Sequence, residues 1–192
     1  VIPQFDGYEK LEDCSLEELR SRMLDPHEYL GGGNGLATMT KILKQADVVL
    51  MLTLFKEDYS RELIAANWEY YEPRTEHGSS LSACAYAMVA THIGAPDRAY
   101  DYFMTTAHAD LSGASKQYVG TLYIGGTHPA ANGGAWLSAV FGFAGLRVDD
   151  KEIRVNPRLP SRWKGMSFPL TWRGEKYRVE ISNGDADVRK IE

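Results

Sequence analysis

The stretch AWLSAVFGFAGLRVDDKEIRVNPRLP, residues 135–160, separates two parts of the sequence that differ in pattern. Before residue 150 the apolar residues mostly recur at helical spacing, whereas after it they alternate with polar residues in short runs. Short alternating runs that end in Pro, Gly or Asn are typical of antiparallel strands. The sequence therefore predicts a mainly α protein, with a helical domain over residues 1–150 and a small β-sheet domain over residues 151–192.

Five or six helices are predicted in the first part, joined by short loops that favour antiparallel pairs. Ser15 and Glu18 form a capping box, which is typical of a helix start. Pro26 ends that helix, and the glycines within residues 31–35 form the loop that follows. The predicted helices cover about residues 15–24, 37–55, 60–70, 81–93, 96–111 and 130–146.

Four alternating runs make up the second part of the chain, at residues 152–160, 165–174, 175–182 and 185–192. The sequences RGEKY and SNGDA, which separate the last three runs, are predicted hairpin turns. The second of them contains Asn183-Gly184, and an Asn-Gly pair between alternating runs is a strong short-range signal for a hairpin.

The composition is that of a soluble globular protein. The 192 residues are 44% hydrophobic and 24% charged, which excludes a disordered chain, a collagen and a membrane bundle. Nucleic acid is not an expected partner, because 26 acidic and 21 basic side chains leave no positive excess to neutralise phosphates. Two cysteines, Cys14 and Cys84, are too few for a disulfide scaffold, and no signal-like leader precedes the first helix. We therefore expect a cytoplasmic protein that does not contact membranes.

Two pairs of polar residues lie in or beside predicted helices. Lys44 and Gln45 fall inside the predicted apolar helix over residues 37–55. The lysine there could extend along apolar surface to water, or the pair could face an anion or a sugar. Ser79 and Ser80 precede the predicted helix over residues 81–93. They could cap that helix, or they could hold an anion together with its free N–H groups.

His128 lies between a glycine-rich turn and the start of the last predicted helix. A histidine at this position could be structural, or it could bind an oxyanion or a sugar hydroxyl. A catalytic triad of His77 with Ser79 is disfavoured, because no nucleophile-elbow motif surrounds the serine. No His or Cys cluster has metal-ligand spacing, and no dinucleotide, P-loop or EF-hand motif occurs.

Five blocks, which occur in order along nearly the whole chain, resemble glycoside hydrolase family 65. That family contains inverting disaccharide phosphorylases acting on maltose, trehalose, kojibiose, nigerose and glucosylglycerol, and a few hydrolases. Five ordered blocks are far more specific than any single motif. They are KQADVVLML at 44–52, NWEYYEPRTEHGSSLS at 67–82, AYDYF and DL within 99–111, GGTHPAANGGAWLSAVFGFAGLRV at 125–148, and NPRLPSRWKGMSFPLTWRG at 156–174.

The resemblance implies the C-terminal part of an (α/α)6 barrel followed by a small antiparallel β-sheet domain. Five or six helices are too few to close such a barrel. We therefore expect this chain to be the C-terminal fragment or subunit of a longer enzyme, with the N-terminal segment or chain of that enzyme as its partner. The complete enzyme is expected to be a homo-oligomer.

The activity that the resemblance implies is cleavage of an α-linked disaccharide by inorganic phosphate, with release of β-glucose 1-phosphate. One carboxylic acid protonates the leaving oxygen, while phosphate attacks the anomeric carbon from the opposite face. Phosphate is already ionised and needs no general base, but it needs positive and N–H-rich surroundings that hold it in line. No cofactor is implied, since phosphate is a substrate.

By resemblance, the phosphate-binding residues are Lys44, Gln45, Ser79, Ser80 and His128. The lysine would supply positive charge, the serines would donate hydroxyl hydrogen bonds, and the histidine would add a further contact. The general acid of the family is a glutamate in a segment upstream of the equivalent of QFDGY. No catalytic residue is therefore expected in this chain, which alone would be inactive.

Two alternatives to a phosphorylase remain at this point. An α-glucoside hydrolase of the same family would use a second glutamate to activate water. A non-catalytic carbohydrate-binding or structural module would place aromatic side chains such as Trp68 and Trp172 against sugar. Such a module would bind saccharides without any upstream segment.

Overall fold

Six α-helices and seven strands follow one another along the residues that the structure describes. This computed structural model describes residues 1–24, 30, 35–111, 118–119, 122–123 and 127–192. The helices are α1 (Leu16–Ser21), α2 (Val48–Leu54), α3 (Arg61–Tyr71), α4 (Ser82–Ile93), α5 (Pro96–Ala107) and α6 (Pro129–Leu137), which a π-helical segment continues over Ser138–Phe143. The strands are β1 (Tyr118–Val119), β2 (Leu122–Tyr123), β3 (Leu146–Val148), β4 (Ile153–Val155), β5 (Gly165–Trp172), β6 (Glu175–Ser182) and β7 (Asp185–Ile191).

Several helices begin and end at the residue types that the sequence predicts. Ser15 accepts a hydrogen bond from the Glu18 N–H at 3.0 Å, and Ser60 accepts one from the Leu63 N–H at 3.2 Å. Such caps satisfy amides that have no partner inside the helix. Gly94 ends α4 with a φ of +94°, a left-handed conformation that glycine adopts without steric cost.

The predicted helix over residues 37–55 is wrong in its first half, because α2 begins only at Val48. The Thr40 hydroxyl donates to the Ala37 carbonyl and accepts from the Ile42 N–H, and such local bonds compete with helix formation. Tertiary pairing adds to this effect, since the Lys41 N–H donates to the Glu12 carbonyl at 2.8 Å. Lys44 and Gln45 therefore lie in an irregular segment ahead of α2 and not inside a helix. Isolated β-bridges join this segment to Glu12 and Thr75.

Helices α2 and α4 run in the same direction. The Ala46 N–H, just ahead of α2, donates to the Oγ of Ser82, the first residue of α4, at 3.0 Å. Near the other end of the two helices, Leu52 and Val89 line the same cavity. The starts of α2 and α4 are therefore side by side.

Helix α6 runs in the same direction as α4. Gly134 of α6 lies against Cys84, in the first turn of α4, and Gly142 lies against Thr91, in its last turn. Small residues at these two points allow the helix backbones to approach closely. The starts of α2, α4 and α6 consequently lie at one end of the helical layer.

Helices α3 and α5 run in the opposite direction, so each of them connects the end of one parallel helix to the start of the next. Arg61, at the start of α3, donates to the Ile93 carbonyl at the end of α4 at 2.6 Å. Further along α3, the Trp68 indole donates to the Tyr86 carbonyl at 3.1 Å. Trp68, Tyr71, Tyr86 and Phe143 are completely buried between the helices, and large aromatic rings contribute most of the apolar area that such a core removes from water.

Gly133 and Gly134 form a matched pair on α6 that tests this packing. A Cβ added at Gly134 would lie 2.7 Å from the Cys84 Sγ, whereas a Cβ at Gly133 would have no atom within 4 Å. We expect Gly134→Ala to lower the free energy of unfolding by about 1–3 kcal/mol, because α4 and α6 must move apart. Gly133→Ala should raise it by up to about 1 kcal/mol, because alanine favours a helix. Thermal denaturation measures both, and equal midpoints would contradict the close contact.

The C-terminal part is a small antiparallel β domain. Strands β5, β6 and β7 are neighbours in that order, joined by two-residue turns at Arg173-Gly174 and Asn183-Gly184. All four turn residues have positive φ, as type I′ hairpins require, so both predicted hairpins are confirmed. Strands β3 and β4 form a separate antiparallel pair. Val179 of β6 is completely buried.

Two further sequence-based expectations concern cysteines and membranes. Cys14 and Cys84 are free thiols, and both are buried. Among the described residues, none of the helices combines the length and the apolar character that crossing a bilayer would require.

Candidate functional site

The segment that carries Lys44 and Gln45 lies beside the loop that leads into α4. The Glu76 N–H donates to the Leu43 carbonyl at 2.7 Å, and the Gly78 N–H donates to the Lys44 carbonyl at 2.9 Å. Lys44 is exposed and Gln45 is half-buried. The structure therefore brings the lysine and glutamine next to the residues that precede Ser79 and Ser80.

A half-buried histidine, His77, joins these two segments to the start of α4. His77 Nδ1 lies 2.9 Å from the Oγ of Ser82, which also accepts the Ala46 N–H. Burial lowers the pKa of His77 to about 4, so the ring is neutral at physiological pH. The Ser82 hydroxyl therefore joins His77 to Ala46. Ser82 thereby links the segment that carries Lys44 and Gln45 to the loop that carries Ser79 and Ser80.

Ser79 and Ser80 are half-buried in the turn ahead of α4. Ser79 Oγ accepts the Leu81 N–H at 3.3 Å. The residue at the N-cap position is Leu81, which makes no side-chain cap, so the prediction that Ser79 or Ser80 caps α4 is wrong by one or two residues. The Ser80 hydroxyl makes no hydrogen bond to the residues that the structure describes. The serines therefore flank a helix start whose first N–H groups lack intrahelical partners.

His128 precedes α6 and is held by Asp110, which follows α5. Its ring Nδ1 lies 2.5 Å from Asp110 Oδ1, and its backbone N–H donates to the same carboxylate. Two hydrogen bonds from His128 hold the pKa of Asp110 below its ordinary value. The backbone N–H has the larger effect and the ring the smaller. An ionised carboxylate can only accept, so Nδ1 carries a hydrogen and Nε2 is the nitrogen left for a ligand.

Asp110 is the member of this arrangement that sequence reasoning did not single out. It lies in the DL pair of the third family block, but it is separated from His128 by 18 positions along the chain. Its role becomes visible only when the end of α5 and the start of α6 are seen together. We regard Asp110 as a positioning residue, because it fixes which nitrogen of His128 faces away.

The candidate residues collect at one end of the helical layer. Lys44, Ser80 and His128 lie in three different loops, each of which precedes one of the parallel helices α2, α4 and α6. Together they offer an ammonium group, hydroxyl groups and an imidazole. Donors of this kind bind oxyanions through short, charge-assisted hydrogen bonds. Among the described residues, no group of three or more His, Cys, Asp or Glu could hold a metal ion.

Comparison with known proteins identifies the family. The family model for the glycosyl hydrolase family 65 central catalytic domain matches residues 1–137, and the model for the family's C-terminal domain matches residues 146–192. The chain belongs to glycosyl hydrolase family 65. The resemblance seen in the five sequence blocks is thereby confirmed.

Relatives of this family 65 chain include several phosphorylases. It is 49% identical to a nigerose phosphorylase of Lachnoclostridium phytofermentans, covering 100% of this chain and 26% of that protein. It is 39% identical to a 1,2-alpha-glucosylglycerol phosphorylase of Bacillus selenitireducens, covering 95% of this chain and 24% of that protein. The chain thus spans about a quarter of the length of these relatives, as expected for a piece of a longer enzyme.

A solved structure confirms the fold class of this family 65 chain. A human-microbiome protein proposed to be a kojibiose phosphorylase matches it with a TM-score of 0.83 and 25% identity, over 100% of this chain and 26% of that protein. The expected architecture, the C-terminal part of an (α/α)6 barrel followed by a small antiparallel β-sheet domain, is therefore confirmed.

Proposed function

We propose that the longer protein that contains this chain is an inverting α-glucoside phosphorylase, and that this chain supplies the phosphate-binding half of its active site. The observation that carries the proposal is that Lys44, Ser79, Ser80 and His128 lie in loops that precede the starts of parallel helices. Gln45 adds an amide in the same segment as Lys44. The phosphorylase names of the relatives at 49% and 39% identity support the same activity.

Each part of this site has a role in phosphorolysis. Lys44 neutralises charge on phosphate, the serine hydroxyls and amides orient its oxygens, and His128 contributes a further contact through its Nε2. Held in this way, phosphate attacks the anomeric carbon from the face opposite the leaving oxygen and gives β-glucose 1-phosphate. The general acid that protonates the leaving oxygen is a glutamate supplied by the N-terminal part of the enzyme.

Three carboxylates in these loops, those of Asp47, Glu76 and Asp110, have hydrogen-bond partners within the fold, which favours phosphate over water as the nucleophile. Asp110 is held by His128, and Glu76 Oε2 lies 3.4 Å from the Leu30 N–H, which donates to it. A hydrolase of the family would need a carboxylate base for water at this face. An anion-binding group of cations and neutral donors is instead what a phosphate nucleophile requires.

The proposal includes the partners of the chain. The N-terminal segment or chain of the same enzyme would cover apolar side chains on α2 and α6, because Leu54 is 69% exposed and Trp136 is 55% exposed. Substrates would be an α-linked glucose disaccharide and inorganic phosphate, without a cofactor. The complete enzyme would be a cytoplasmic homo-oligomer.

The test is an assay of the full-length enzyme with nigerose, kojibiose, trehalose and maltose, each with and without inorganic phosphate. We expect glucose 1-phosphate to form from at least one disaccharide only when phosphate is present, and NMR of the fresh product to show the β-anomer. Glucose release that does not depend on phosphate would instead indicate the hydrolase. Formation of the α-anomer would contradict the inverting geometry.

The binding-module alternative is not favoured by the structure. Trp68, one of its two candidate sugar contacts, is completely buried and donates its indole hydrogen bond to Tyr86. It cannot stack on a saccharide without disruption of the helical core. Trp172 is half-buried against Tyr177, with ring centroids 6.0 Å apart.

A further inference from the structure

A cavity lies at the opposite end of the helices from the candidate phosphate residues. It has a volume of about 180 Å³, and the apolar side chains of Leu52, Ile64 and Val89 line part of its wall. It is close to the ends of α2 and α4, whereas the candidate phosphate residues precede the starts of these helices. Its basic side chains are those of Lys56, His92, Arg147 and Arg158.

The positive charge in this cavity is only partly neutralised. The carboxylate nearest Arg147 is that of Glu57, whose Oε1 lies 3.8 Å from the Arg147 Nε and whose side chain is 82% exposed. Within the part of the chain that the structure describes, the Lys56 ammonium has no ion pair. Arg158 donates to the carbonyls of Thr91 and His92 at the end of α4, which fixes its guanidinium at the cavity while leaving its charge in place.

Burial and mutual repulsion both act on these groups. Burial, followed by the charge of Arg147, lowers the pKa of Lys56 to about 8. Burial also lowers the pKa of His92, and the charges of Lys56 and Arg158 lower it further. Partly buried cations of like sign are unfavourable together unless an anion offsets them.

We propose that this cavity binds a small phosphate-type oxyanion, either inorganic phosphate or the phosphate group of a monoester, between Lys56, Arg147 and Arg158. Arginine presents a planar fork of donors that matches phosphate oxygens, and a lysine adds a mobile point charge. The apolar wall excludes water and thereby strengthens such contacts. The site is separate from the candidate active site and stands independently of the proposed function.

The test is calorimetric titration of the full-length enzyme at pH 7 with inorganic phosphate, in the absence of disaccharide. We expect two phosphate ions to bind per chain, and Lys56→Met to remove one of them or to weaken it roughly tenfold or more. Lys151→Met, which removes an exposed lysine outside the cavity, should leave both. A parallel titration with glucose 1-phosphate shows whether the monoester binds this cavity more tightly than the free ion.

The two anion sites are told apart by their own variants. Lys44→Met should remove only the phosphate bound at the candidate active site. If this variant still binds two phosphate ions, the proposed active site is wrong, whereas the cavity proposal is unaffected. If Lys56→Met and Arg147→Met both bind as the parent enzyme does, the cavity proposal is wrong. The same conclusion follows if a carboxylate of the longer protein fills the cavity, because the parent enzyme would then bind one phosphate.

A pH series gives a readout that does not depend on loss of the side chain. Binding at this cavity should weaken above pH 8, as Lys56 loses its proton. The other charged or titratable groups around the cavity are Glu57, Arg61, His92, Arg147 and Arg158. Lys56→Arg should keep the affinity up to pH 9, and an equal decline in this variant would contradict the role of Lys56.

Discussion

Replacement of Lys44 by Met in the full-length enzyme is expected to lower kcat/KM for phosphate by roughly 10- to 100-fold, the effect of losing a charge-assisted hydrogen bond. The physical reason is that Lys44 supplies the ammonium charge next to the serine loop, held there by the bond from Gly78 to its carbonyl. Initial rates at saturating disaccharide, measured over a range of phosphate concentrations, give this quantity. The KM for the disaccharide should change much less.

Lys41→Met is the matched control for Lys44→Met. Lys41 belongs to the same irregular segment, and its ammonium lies 3.5 Å from the Asp13 carboxylate. The control should keep its phosphate kinetics within a factor of about two, since an ion pair with a partly exposed carboxylate contributes little. If both variants lose phosphate use equally, the effect is one of folding or net charge and Lys44 has no specific role.

Acidification is expected to lower the free energy of unfolding, because the folded protein holds His77 in its neutral form. Its pKa in the folded state is about 4, whereas an unfolded histidine titrates near 6.5. Between these values the unfolded chain binds a proton that the folded chain does not, so stability falls as the pH drops from about 6.5 to about 4 and is fully retained above that window. At pH 4 the loss amounts to about 3 kcal/mol.

His77→Gln tests this origin of acid sensitivity. Glutamine cannot titrate and retains a polar group for Ser82, so its variant should lose less stability between pH 7 and pH 4 than the parent enzyme. Chemical denaturation at both pH values measures the difference. His108→Gln is the matched control, because His108 is exposed at the end of α5 and lies outside the hydrogen-bonded group of His77 and Ser82. Identical pH dependence of the parent and His77→Gln would contradict a neutral His77.

Local signals explain why much of the fold could be predicted from the sequence. The cap at Ser15 and the two hairpin turns act through contacts within a few residues of the chain. The change from helical to alternating spacing near residue 150 likewise reports local burial. These features do not depend on which distant segment packs against them.

The candidate site was less predictable because its geometry depends on distant pairs. The segment around Lys44 has the apolar pattern of a helix, yet bonds from Thr40 and pairing with Glu12 and Glu76 keep it irregular. Asp110 reaches His128 across two loops, and no periodicity reports such a contact. Lys56 and Arg158, two of the cations that line the cavity at the other end of the helices, are far apart along the chain.

Because α2, α4 and α6 run in the same direction, the candidate site residues and the core residues lie in different parts of the helical domain. Every residue of the candidate active site lies in a loop that enters one of these helices, while the aromatic core lies along their lengths. Substitutions in the loops can therefore change what the enzyme accepts without repacking the interior, and surface loops tolerate such changes better than cores do. An engineer who wishes to alter selectivity would diversify the loops at that end and keep Trp68, Tyr86 and Phe143 unchanged.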